Sequence, residues 1–161
     1  MEIKSTEEIK EWLDKNYTNK IFQNYKKIIS KSIPVDAGIK NYISKSISSL
    51  LNNEECMLYI HEHGIWPSCE NMELFDGYRK SIGINEELYE KPVHIIATNE
   101  NIELYCLLTM VLYFFWGCII MSNNENIIIE ISHDECIDIY FKNGYNNEEF
   151  ITKINEIMKE E

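Results

Sequence analysis

The chain carries few of the signatures that would name a chemistry. Its 161 residues contain no P-loop, no G-x-S-x-G elbow, no H-E-x-x-H helix and no dinucleotide-binding glycine fingerprint. None of the common phosphate, hydrolase, zinc-protease or nicotinamide motifs is therefore available, and neither a cofactor nor a metal is expected. No CxxC pair occurs among the five cysteines (Cys56, Cys69, Cys106, Cys118, Cys136), and an odd number argues against a disulfide framework. Together with an opening MEIKSTEEIK that lacks an apolar signal region, this implies a reducing cytoplasm and free thiols. No stretch rich in Gly, Ser or Pro marks a linker, and repeats and low-complexity tracts are missing. A single domain over residues 1–161 is expected, with a helical segment over 1–52 and an α+β core over 53–161.

Positive charge is scarce as well. Fifteen Lys and Arg stand against 27 Asp and Glu, for a net charge of −12. Residues 1–50 carry nine lysines and six acids (+3), so residues 51–161 carry −15. Nucleic acid and anionic membrane both demand phosphate-neutralising cations, so neither is expected as a partner. A basic protein would suit this surface, although acidity also serves solubility alone. The uncharged run LYCLLTMVLYFFWGCIIM, residues 104–121, is at the lower edge of a membrane span. Its flanks, Glu103 and SNNEN, offer no Lys or Arg anchor, and helix-forming Leu and Met give way to Ile near Gly117. It reads as a buried helix followed by a buried strand.

Hydrophobic periodicity predicts three amphipathic helices in the first 52 residues. The first opens with a capping box at Ser5–Glu8 and aligns Ile9, Trp12, Leu13 and Tyr17. The second aligns Ile21, Phe22, Tyr25, Ile28 and Ile29; the third follows Pro34, is capped by Asp36, and carries Ile39, Ile43, Ile47, Leu50 and Leu51. Beyond them, residues 56–62 read as a strand and HGIWPS as a loop. Ser68 is placed to cap a helix bearing Leu74, Phe75, Tyr78 and Ile82. VHIIAT reads as a strand and residues 100–113 as a buried helix. Strands near 115–121, 126–131 and 136–141 form an expected antiparallel meander, followed by a helix from Asn147. The fold class is α+β: an antiparallel sheet packed by helices.

Four polar residues, Ser132-His133-Asp134-Glu135, lie between two of those strands. Ser and Asp are ordinary turn residues, yet an imidazole beside two carboxylates is also a candidate site. His61 and His63, two apart on a strand, would share a face and bind one cation if His94 or His133 joined them. Cys69, near a helix N-terminus, and Cys136, in acidic surroundings, are candidate thiols with His133 or His63 as base. Arg79 is the one arginine in a chain that otherwise uses lysine, and a lysine cannot copy its planar fork. The expectation is a structural pairing with Glu70, Asp134 or Glu135 that ties the WPSCEN loop to the hairpin tip. Anion binding in a cleft is the alternative.

The runs IWPSCENMELFDGYRKSIG, PVHII, LYFFWG and ISHDE together resemble a pattern of bacterial proteins of unknown function, W-P-S-x-E-N, Y-R, P-x-H, F-x-W-D and S-H-D-E. The likeness spans about residues 58–140. It implies that Trp66, Ser68, Glu70, Asn71, Tyr78, Arg79, His94, Trp116 and Ser132–Glu135 form one constellation, but no activity. Gly117 departs from the pattern, standing where an Asp belongs.

Three functions remain open on this reading. The first is a small acidic binding or inhibitor protein, of the immunity-protein kind, that sequesters a basic partner through Trp66, Glu70, Arg79, His133, Asp134 and Glu135. No catalytic residue is assigned in it. The second is a metal-dependent or acid–base hydrolase using His133, Asp134 and Glu135, with Arg79 holding an anionic substrate. The third is a structural or regulatory module in which these residues lock the fold.

Overall fold

Among the described residues, seven strands form one antiparallel sheet, in the order β1-β4-β3-β5-β6-β7-β2. The computed structural model describes residues 1–10 and 24–159. In chain order these hold β1 (Glu2–Lys4), α1 from residue 6, β2 (Tyr25–Ser32), α2 (Ala37–Leu50), β3 (Cys56–Glu62) and α3 (Met72–Ser81). Then come β4 (Val93–Ile96), α4 (Asn101–Tyr113), β5 (Gly117–Ser122), β6 (Ile127–Ile131), β7 (Cys136–Lys142) and α5 (Glu148–Ile157). The fold is α+β.

One face of the sheet buries Leu58, Ile60, Cys118, Ile120, Ile129, Ile137 and Ile139 against the apolar stripes of α2, α4 and α5. The other face buries Met57, Val93, Ile119, Met121, Ile128 and Tyr140, with Ile9 of α1 packed over them. Strand alternation explains the division: neighbouring residues of β3 and β5 point to opposite faces, and both faces are apolar. The uncharged run at 104–121 is divided between α4 and β5, as its change of composition suggests. Among the described residues no helix is long and apolar enough to cross a membrane.

The caps follow local chemistry. Ser5 and Glu8 exchange hydrogen bonds across the first turn of α1. Asp36 accepts from the Ile39 amide at 3.0 Å to start α2, and Asn147 accepts from Phe150 at 3.0 Å to start α5. The cap of α3 is a correction: Asn71 accepts from the Leu74 amide at 2.9 Å, leaving Ser68 in the preceding loop.

The predicted second helix is the larger correction, and with it the three-helix segment over 1–52. Residues 25–32 are an edge strand paired with β7. The register shifts between Lys27 and Ile29, so Lys27 lies opposite Tyr140 and Ile29 opposite Ile139. That bulge turns Tyr25 to one face and Ile29 to the other. Tyr25, Ile28 and Ile29 have the three-and-four spacing of a helix in the sequence, but in the strand they serve two apolar faces. Of the first two predicted helices, Trp12, Leu13, Tyr17, Ile21 and Phe22 lie outside the described residues.

Both C-terminal hairpins use one geometry. The amide of Glu125 bonds the Ser122 carbonyl at 2.8 Å, and that of Glu135 bonds the Ser132 carbonyl at 3.2 Å. Each Glu closes its turn at positive φ, 56° and 57°, the left-handed position where glycine is preferred. Glu125 is exposed, and its side chain makes only a 3.6 Å surface approach to Lys142. Glu125→Gly is therefore expected to raise stability by about 1 kcal/mol, or roughly 2–4 °C in Tm, checked by thermal denaturation.

Candidate functional site

The end of α4 begins the site. The amide of Trp116 reaches back to the Val111 carbonyl at 3.0 Å, which places Phe115 at the left-handed C′ position of a Schellman-type stop, φ 56°. Glycine is the usual residue there; a phenylalanine is held under strain, and strain of this kind gathers at working sites. Its ring meets the Nζ of Lys40, 3.9 Å from the ring centroid.

Lys40 lies in the apolar stripe of α2 and is buried, its side chain 4% exposed. Its ammonium donates to the Leu112 carbonyl at 3.2 Å and to Glu135 Oε1 at 2.8 Å. An ammonium suits the last turn of α4, where carbonyls lack intrahelical partners. Lys40 thus ties α2, the end of α4 and the hairpin tip together. The expected tie from Arg79 to the hairpin or to Glu70 is corrected. Arg79 is buried, 1% exposed, and donates to the carbonyls of Glu86 at 2.8 Å and Lys91 at 3.1 Å, with Asp76 at 3.7 Å. It fastens α3 to the loop before β4.

The far wall is the loop from His63 to Asn71. Glu70 closes it, its two carboxylate oxygens accepting the amides of Gly64 at 2.9 Å and Trp66 at 3.0 Å. This presents Trp66 with 48% of its surface exposed. Glu70 therefore shapes the loop that carries the aromatic.

The hairpin tip is anchored from β3. Glu62 Oε2 lies 2.9 Å from His133 Nδ1 and 3.3 Å from the His133 amide. Glu62 reaches there because residue 117 has no side chain: a Cβ on Gly117 would stand 2.7 Å from the Glu62 Cβ and closer still to its carboxylate. A carboxylate does lie over position 117, supplied by Glu62 instead of an Asp at 117. Hydrogen bonding to Glu62 pushes the His133 pKa up, although burial opposes it. Burial works to raise Glu62, and the side-chain and backbone hydrogen bonds of His133 outweigh it and bring it down. His133 Nε2 is 3.5 Å from Asp134 Oδ1.

These pieces enclose a cleft of about 310 Å³ lined by Trp66, Cys69, Phe115, His133, Asp134 and Glu135. Of the residues singled out in the sequence, Trp66, Cys69, His133, Asp134 and Glu135 come together. Glu70 braces the wall, and Arg79 does not line the cleft. His94 is also elsewhere: it is fully buried, and burial with the nearby Arg79 charge pushes its pKa down to about 3, so it is a neutral core residue. Trp116 is 1% exposed and packs on Phe75 and Phe114. The His61–His63 pairing is corrected too, because a bulge between Ile60 and Glu62 breaks the alternation. The His61 ring lies 5.4 Å from Tyr59 on one side of the sheet, and the His63 ring 5.8 Å from Trp116 on the other. Among the described residues no group of three or more His, Cys, Asp and Glu could hold a metal ion.

Lys40, Glu62 and Phe115 escaped the sequence reading. A lysine inside the stripe of α2 was the available signal for the first; nothing local marks the other two.

The Glu62–His133 pair sets a pH window. A raised His133 contributes stability that is complete below its unfolded pKa and lost as pH rises through the folded value. A lowered Glu62 contributes stability that is complete above its unfolded pKa and lost as pH falls through the folded value. The expected result is a Tm gap between the wild type and Glu62→Gln that is widest between those folded values. It closes toward alkaline pH, as a Tm series across pH would record.

No protein-family model matches the chain, and comparison with the curated proteins and the solved structures found no match.

Proposed function

We propose that this chain is a small acidic protein-binding module of the cytoplasm, an inhibitor or immunity-type protein that sequesters a basic protein partner. The observation that carries the reading is the half-exposed Trp66, held on a braced loop and facing an acidic hairpin tip across a cleft. Tryptophan is among the residues enriched at the hot spots of protein interfaces. The net charge of −12 supplies long-range attraction toward a basic surface. The five cysteines are free, as suits a reducing compartment.

The test is capture of the partner at low salt, followed by kinetics on the purified pair. One basic protein bound one to one is expected, with an association rate that falls about tenfold or more from low to high salt. A rate indifferent to salt would overturn the electrostatic half of the reading.

One observation favours a second reading, acid–base hydrolysis. Glu62 orients the His133 ring through Nδ1 in a cleft that also holds the Cys69 thiol. Arg79 has no part in it, since its guanidinium is spent on backbone carbonyls. Turnover of ester or thioester substrates that vanishes in His133→Ala, measured well below the melting point of that variant, would favour this alternative.

A further inference from the structure

We propose that the cleft between Trp66 and the 132–135 hairpin tip receives one arginine side chain of the partner, stacked on the indole and forked onto Asp134. This rests on the binding reading above and names what the cleft recognises. The chain already shows how a cation is held there. Lys40 places its ammonium over Phe115 and against Glu135, with its side chain 4% exposed. An aromatic face plus a carboxylate is thus a built cation site, with one face of Phe115 taken by the chain's own lysine.

The remaining groups repeat that combination, open to solvent. Trp66 is 48% exposed. Glu135 is neutralised by Lys40 and Glu62 is engaged with His133. Asp134 is left with a side chain 73% exposed and only a 3.5 Å approach to His133 Nε2. Its carboxylate is the most open of the three to a ligand. An anionic ligand would meet the carboxylates of Asp134 and Glu135 in the cleft, within a chain of charge −12. A neutral aromatic would leave Asp134 unused. Between the two common cations, a planar guanidinium both stacks on an indole and meets a carboxylate from two points, whereas an ammonium is a single point of charge. The volume, about 310 Å³, suits a side chain more than a helix.

The experiment titrates the ¹⁵N-labelled full chain with acetyl-Gly-Arg-Gly-amide, with the same peptide carrying citrulline, and with its lysine counterpart. Amide and indole resonances are read, and the Trp66 indole is assigned with Trp66→Phe. The arginine peptide is expected to move the Trp66 indole and the amides of 133–135, with millimolar affinity, and Asp134→Asn to weaken it several-fold. Citrulline, of the same shape without charge, is expected to leave those resonances in place. Equal shifts with citrulline, lysine binding as tight as arginine, or no shift at the cleft would each overturn the proposal. Failure of the wider reading looks different. A basic partner that binds Trp66→Ala and Asp134→Asn as tightly as the wild type docks elsewhere, which sinks the cleft and spares the module. An arginine-selective cleft in a chain that captures no basic protein does the reverse.

Discussion

Arg79→Ala is expected to lower the unfolding free energy by about 3–5 kcal/mol, more than any change on the surface. The guanidinium is 1% exposed, so its loss leaves the Glu86 and Lys91 carbonyls without their donor and a void beside α3. For a chain of this size the fall in Tm is on the order of 10 °C. Arg79→Lys is the informative companion. An ammonium can meet one of the two carbonyls but not both, so a substantial loss is expected there as well. The cleft lies elsewhere, so binding measured well below the melting point is expected to survive both changes. Chemical denaturation alongside the binding assay checks this. A small stability change with loss of binding would return Arg79 to the site.

Gly117→Ala is expected to do the opposite kind of damage, small in volume and large at the site. The added Cβ would stand 2.7 Å from the Glu62 Cβ and 2.8 Å from its Cδ, deeper than any carbon–carbon contact allows. Both positions are on paired strands, so neither backbone can step aside easily. Overpacking of this kind costs about 1–3 kcal/mol. Glu62 must leave, and His133 then loses the hydrogen bond that raises its pKa. An NMR titration of His133 is expected to show its pKa returning toward the ordinary histidine range. Adding Glu62→Ala to Gly117→Ala is expected to recover part of the stability but none of the His133 shift. Such non-additivity is the signature of two residues sharing one space. Independent, additive effects would mean that Glu62 does not depend on the missing side chain.

How far the sequence could be read depended on the range of each interaction. The helices α2 and α5 were legible because a cap and a 3.6-residue stripe act within a few residues of one another. The strand at 25–32 was not, because its apolar residues are spaced as in a helix, and only pairing with β7, across a bulge, distributes them over two faces. Trp66, His133, Asp134 and Glu135 were legible as polar and aromatic residues placed where turns put them. Arg79 was legible as unusual, but its partners were not. A buried fork can be satisfied by carboxylates or by carbonyls, and composition does not choose between them.

The amino-acid sequence by itself determined the α+β class, the acidic character, the caps of α1 and α2 and the polar residues of the hairpin tip. All of these follow from forces between near neighbours or from summed charge. Tertiary structure alone decided that Lys40 meets Glu135, 95 residues away, that Glu62 meets His133, 71 residues away, and that a strained Phe115 floors the cleft between them. Those contacts exist only once α2 is seated on α4 and β3 lies beside β5, because an ion pair selects its partner by position after the sheet has closed.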